Sequence, residues 1–108
     1  MTDCLFCKIV AGAVPADVIH DSERVLAFRD IAPQAPVHAL VVPKAHHGDV
    51  STLAAADPAL LAELVSVADA VATELADGQY RLIFNNGPRA GQSVFHVHAH
   101  VIGGRQLG

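Results

Sequence analysis

The chain reads as an α+β fold built on an antiparallel sheet, and three observations predict it. Residues 58–76 repeat apolar side chains at helical period. Strand-like runs lie on both sides of that helix, at 24–30, 37–43 and 80–87. The last run, 93–102, alternates histidine with small apolar residues. Strands gathered around one long helix, without a helix after every strand, point to α+β architecture.

Taken in order, residues 4–10 form a short helix, with Leu5, Phe6 and Ile9 grouped on one side and Gly12 and Pro15 ending it. "RVLAFRD", 24–30, alternates as a strand does. "VHALVVP", 37–43, is β-branched and is stopped by Pro43. The long helix begins with Asp57 as N-cap and Pro58 in the first helical position. Leu60, Leu61, Leu64, Val65, Ala68, Val71, Ala72 and Leu75 follow its period, and Gly78 closes it. "YRLIFNNG", 80–87, is a strand running into a turn, and "SVFHVHAHVI", 93–102, is the final strand.

Composition narrows the function. At 108 residues, 52% hydrophobic and 17% charged, the chain suits one folded domain with a small core, and pairing with a second copy would bury more surface. A net charge of −4 without a basic cluster argues against nucleic acid. A small phosphate ligand remains open, because backbone N–H groups hold phosphate without net positive charge. The opening "MTDCLFCKIV" lacks the pattern of a signal peptide, and no run is apolar enough to span a bilayer. A cytoplasmic protein is the expectation, and two cysteines there argue against a structural disulfide.

Three of the 7 histidines fall in "HVHAHVI" at strict alternation. On a strand, His96, His98 and His100 share one face, while Val97, Ala99 and Val101 share the other. The outer two histidines are roughly 13 Å apart at Cα, too far for one metal ion to take all three. A row of titrating rings is a poor way to cover a surface, so the row reads as a metal or catalytic site. Just before it, "NNGPRAGQS", 85–93, is a glycine-containing loop. Gly87 and Gly91 permit tight turns, and Asn85, Gln92 and Ser93 offer neutral hydrogen-bond groups. Such a loop beside imidazoles suits phosphoryl chemistry, in which one ring attacks phosphorus. Cys4 and Cys7 supply half of a zinc site, and two more nitrogen or sulfur ligands are needed to complete it. The βαβ context of a thioredoxin-like redox pair is absent.

These residues carry a resemblance. "HVHAHVI" is similar to the His-x-His-x-His-apolar-apolar signature of the histidine triad family of nucleotide hydrolases and transferases. "LAFRDIAPQAPVHALVVPKAHH", 26–47, resembles that family's first half, and "NNGPRAGQSVFHVHAHVIGGR", 85–105, its second half. "CLFCKIVAGAVPA", 4–16, resembles the opening of many bacterial members, and "GQSVFHVHAHVIGGR" resembles the Hint branch of histidine triad nucleotide-binding proteins.

The resemblance implies a fold with a five-stranded antiparallel sheet and two helices, one short and N-terminal and one long. It also implies a homodimer whose sheet is continuous across the two copies. It makes His98 the nucleophile, attacking the α-phosphorus of a nucleotide. His100 contacts the phosphate, and His38 is a fourth histidine supporting the site. Asn85, Gly91, Gln92 and Ser93 fall at phosphate and leaving-group contacts. Asp30 falls at the carboxylate that accepts from the ribose. Phe6, Ile9, Phe28 and Ile31 match the walls around the base, although each serves equally well as plain core. Bacterial relatives with this opening carry a structural zinc, which implies Cys4, Cys7, His46 and His96 as ligands, with His47 the alternative to His46. No cofactor is needed for the chemistry, and His20 falls outside the pattern and reads as a surface residue. The implied activity is a purine nucleoside phosphoramidase or related nucleotide hydrolase. Two alternatives stand beside it, a dinucleoside polyphosphate hydrolase and a nucleotide-binding adaptor with vestigial turnover. Hint members often carry a longer C-terminal tail reaching the partner's site. The chain ends three residues past Arg105, so the resemblance extends to the reaction type and less to the leaving group.

Overall fold

The computed structural model describes residues 3–108. Its five strands are β1 (Val18–Asp21), β2 (Val25–Arg29), β3 (Val37–Pro43), β4 (Tyr80–Ile83) and β5 (Ala99–Gly103). All pair antiparallel in the order β1-β2-β3-β5-β4, the five-stranded α+β sheet that the resemblance implies. Three α-helices accompany them: α1 (Leu5–Val10), α2 (Val50–Ala56) and α3 (Pro58–Ala76).

Strand parity divides the core in two. Val25, Ala27, Ala39, Val41, Ala99 and Val101 pack against α3 on one face. Leu26, Phe28, Leu40 and Val42, their neighbours in sequence, pack with Phe6 of α1 on the other. The central strands are therefore buried on both faces, which explains why β3 reads as a continuous apolar run. The helical face of α3 is Leu60, Leu64, Val67, Ala68, Val71 and Ala72. Val65, expected on that face, is 40% exposed, and Val67 takes its place. Asp77 already adopts the left-handed conformation (φ 55°), one residue before the expected Gly78 stop.

Three elements differ from expectation. β1 is a four-residue edge strand with a half-polar pattern, and it leaves no periodic signal. Within it His20 is half-buried, its Nε2 3.0 Å from the Ser22 hydroxyl, and so is not a bare surface residue. α2 is a short helix of 7 residues that buries only Leu53. β5 begins at Ala99 rather than at residue 93. β4 ends opposite His100, and β3, which runs on to Pro43 beside β2, pairs with β5 only as far as Val41 opposite Ala99. The segment before it is held instead by the Val97 N–H, which donates to the His47 carbonyl at 2.7 Å.

Two stability outcomes follow. Leu64 is fully buried at the centre of the α3 core, so Leu64→Ala costs about 2–5 kcal/mol in urea unfolding at constant m. Asp57 caps α3 through the Leu60 N–H (3.1 Å), and that hydrogen bond leads the causes that lower its pKa, with Arg24 adding to it. A depressed carboxylate stabilises above its unfolded pKa and loses that contribution as pH falls through the folded value. Asp57→Ala therefore lowers the melting temperature at pH 7, and the gap to wild type narrows in melts run below about pH 4.

Candidate functional site

The face of the sheet opposite α3 carries the histidines. His38 of β3 and His100 of β5 have the same parity as Leu40, on the α1 side. Leu40 lies opposite His100 and His38 opposite Ile102, so the two rings are diagonal neighbours. Upstream of β5 the alternation persists without a ladder. Val97 enters the α3 core, while His96 and His98 turn toward α1, where Phe6 meets both rings edge-on at 6.0 and 5.0 Å. The row is thus a buried layer and not a solvent face, with His96 0% and His98 8% exposed.

Each buried ring has one nitrogen committed to the scaffold, and that commitment assigns its proton. The Nδ1–H of His98 donates to the His96 carbonyl at 2.8 Å. A carbonyl only accepts, so in the neutral ring Nε2 holds the free lone pair. Burial lowers the pKa of His98, chiefly by desolvation, which favours that neutral ring. His38 is assigned from the other side. The Gln34 N–H donates to its Nδ1 at 3.0 Å, so Nε2 carries the proton. His38 Nε2–H then donates to His100 Nδ1 at 3.0 Å, with the Asp30 carboxylate 3.4 Å away. His100 is left with its proton on Nε2, and desolvation lowers its pKa as well. Asp30, His38 and His100 bring ligand atoms within 4.8 Å of one another. A metal would need the His38 Nε2 lone pair, which the Gln34 amide denies it. His38 and His100 are therefore a hydrogen-bonded pair with the Asp30 carboxylate beside it.

Cys4, Cys7, His46 and His96 form a second cluster, with one donor atom from each within 4.8 Å of the others. Its cysteines sit on α1, where the Cys4 sulfur caps the helix by accepting from the Cys7 N–H at 3.3 Å. His96 Nε2–H donates to the Pro43 carbonyl at 2.8 Å, which leaves its Nδ1 lone pair facing both sulfurs at 3.4 and 3.5 Å. His46 Nδ1 lies 3.3 Å from the Cys7 sulfur, and His46 rather than His47 belongs to the group. The sulfur–nitrogen edge of a zinc tetrahedron with ordinary bond lengths is about 3.5 Å. The donor set and its spacing fit a tetrahedral thiophilic ion, and the Pro43 carbonyl supplies the outer hydrogen bond that fixes a ligating imidazole.

Between α1 and these histidines lies a cavity of ≈ 320 Å³, within the range of small-molecule sites. Of the residues expected there, Phe6, Ile9, Phe28, Asp30, Ile31, Ser93, His98 and His100 line it. His38 stands behind His100. Asn85, Gly91 and Gln92 do not reach the wall. Both amide hydrogens of Gln92 are spent on the Gly48 and Val94 carbonyls (2.7 and 3.0 Å), and its oxygen accepts from the Gly87 N–H (2.8 Å). Gln92 ties the 85–93 loop to the backbone of Gly48 and Val94, and the loop's turn requires φ of +97° at both Gly87 and Gly91. Sequence reasoning missed Leu5, Pro15, Ala16, Arg29, Leu40 and Val94 in the lining. Only Leu5 left a signal, its place beside Phe6 on the exposed side of a short helix.

Comparison with known proteins agrees with this architecture. The HIT domain matches residues 11–107. An uncharacterized HIT-like protein of Synechococcus elongatus is 44% identical over 97% of this chain and 93% of its own length. A HIT family hydrolase from Legionella pneumophila superposes with a TM-score of 0.92 at 43% identity, covering 97% of this chain and 96% of that one. A histidine triad nucleotide-binding protein from Candida albicans gives a TM-score of 0.83 at 29% identity, covering 91% and 72% of the two chains. With the domain matched over almost its whole length and its sheet shared with these structures, the chain belongs to the HIT, or histidine triad, family.

Proposed function

We propose that this chain is a single-domain, dimeric nucleotide hydrolase that cleaves at the α-phosphate of purine nucleoside 5′-phosphoramidates or related nucleotides. One observation carries the reading: His98 lines the cavity with its Nδ1–H tied to the His96 carbonyl, so Nε2 is its unprotonated nitrogen. Likeness to the Legionella HIT family hydrolase and the Candida histidine triad nucleotide-binding protein supports the same reading.

In this mechanism Nε2 of His98 attacks the α-phosphorus. The bond from phosphorus to the leaving nitrogen or oxygen breaks, and its electron pair leaves with that atom, which takes up a proton. Water then attacks the nucleotidyl-His98, the phosphorus–nitrogen bond breaks, and nucleoside monophosphate and one proton are released. His100 donates its Nε2–H to a phosphoryl oxygen, and His38 holds it in that tautomer. The Ser93 hydroxyl faces the phosphate, with Asn85, Gly91 and Gln92 shaping the loop behind it. Asp30 accepts from the ribose hydroxyls, and Phe6, Ile9, Phe28 and Ile31 flank the base. Cys4, Cys7, His46 and His96 would hold zinc, which would have a structural role and supply no step of the chemistry.

The decisive assay follows AMP release from a fluorogenic adenosine 5′-phosphoramidate. Wild type turns over, and His98→Ala loses at least about a thousandfold in kcat while its affinity for AMP stays within about threefold. A mutant with wild-type rates removes His98 from the chemistry. Faster kcat/KM on diadenosine polyphosphates would move the substrate class and leave the nucleophile in place. Protein purified without a histidine tag should carry about one zinc per chain by elemental analysis, and Cys7→Ser should carry much less.

A further inference from the structure

α1 has six residues, too few to hold a helix by itself. The bonds that keep it in place are few. The backbone N–H groups of Lys8, Ala11, Gly12, Ala13 and Val14 all donate to carbonyls within residues 4–9. Among the described residues, its only polar side-chain contacts with the rest of the chain are the three between sulfur and imidazole in the cysteine–histidine cluster. The remaining attachment is apolar, through Phe6, Ile9 and Val10. Yet α1 and the turn after it supply Leu5, Phe6, Ile9, Pro15 and Ala16, one whole wall of the cavity.

The cluster has a second line to the site, through His96. The ring of His96 belongs to the cluster, and its own carbonyl holds the His98 Nδ1–H. One residue therefore links the sulfur ligands to the ring that lines the cavity. The α3 core lies on the far side of the sheet and contains no residue of α1.

We propose that the Cys4–Cys7–His46–His96 cluster is a metal latch on the ligand cavity. A tetrahedral thiophilic ion such as zinc pins α1 as the cavity wall and holds the His96 carbonyl against His98. Ligand affinity and the order of the His98 ring then follow metal occupancy, while the sheet and α3 stay folded. His96 is in this scheme a positioning residue, acting through His98. The affinity part rests on the nucleotide reading above. The mechanical part does not.

The test compares zinc-loaded protein with the same protein stripped by a strong chelator under reducing conditions, both ¹⁵N-labelled and without ligand. On stripping, backbone order parameters of residues 5–10 are expected to fall from about 0.85 to below about 0.6. The His98 ring N–H resonance should broaden or vanish, and amide exchange in β3 and β5 should stay unchanged. Adding zinc back should restore all three. Calorimetry with AMP should show at least tenfold weaker binding by the stripped protein. Unchanged α1 order and an unchanged His98 resonance would overturn the latch. So would loss of protection throughout the sheet, which would make the metal a support of the whole fold. If α1 loosens as expected but zinc-loaded protein binds no AMP, the latch stands and the nucleotide reading falls.

Discussion

The antiparallel pairing of β3 with β5 sets the position of everything else in the site. With Leu40 opposite His100, the apolar residues Ala39, Val41, Ala99 and Val101 face α3, and His38 and His100 face α1. A slip of β5 by one residue would turn His100 into the α3 core and Ala99 and Val101 toward α1, away from His38. The His38–His100 hydrogen bond would then be lost, at about 1–3 kcal/mol per unsatisfied polar group. The register is therefore enforced by the core on one face, and the chemistry on the other face inherits it.

Burial of the histidines has a consistent logic. His38, His96 and His98 are each held by one backbone group: the Gln34 N–H, the Pro43 carbonyl and the His96 carbonyl. His100 is held by His38. No buried side-chain nitrogen or oxygen among the described residues lacks a partner. The scaffold takes one nitrogen of each ring and so decides what the other can do: a lone pair at His98 Nε2 and His96 Nδ1, a proton at His38 Nε2 and His100 Nε2. Desolvation lowers the pKa of His96, His98 and His100 and so favours the neutral rings that this division requires.

Much of the arrangement was legible in the residues themselves. The span of α3 followed from Asp57, Pro58 and a strong helical period, because nineteen residues give the pattern room to show. β3 was legible for the opposite reason, a short β-branched run ended by proline. β1 and α2 were not, since an edge strand of four residues and a helix that buries one leucine carry too little periodicity to rise above a loop. In the site, the spacing of Cys4 and Cys7 announced half a metal cluster. The 85–93 loop announced hydrogen-bond groups, but not that Gln92 would spend its amide hydrogens on the Gly48 and Val94 carbonyls.

What the sequence determined by itself is parity and chemistry. Alternation puts His96, His98 and His100 on the side opposite Val97, Ala99 and Val101 whether or not a ladder forms, because side-chain direction is a property of the extended backbone. Tertiary structure decided the separation of roles. The ladder of β5 starts only at Ala99, and in the segment before it His96 reaches cysteines far away in sequence while His98 stays with the cavity. It also decided protonation, since the amide of Gln34 and the carbonyls of Pro43 and His96 meet these rings only after the strands have paired. A proton's position depends on the partner across the hydrogen bond, and that partner exists only in the folded chain.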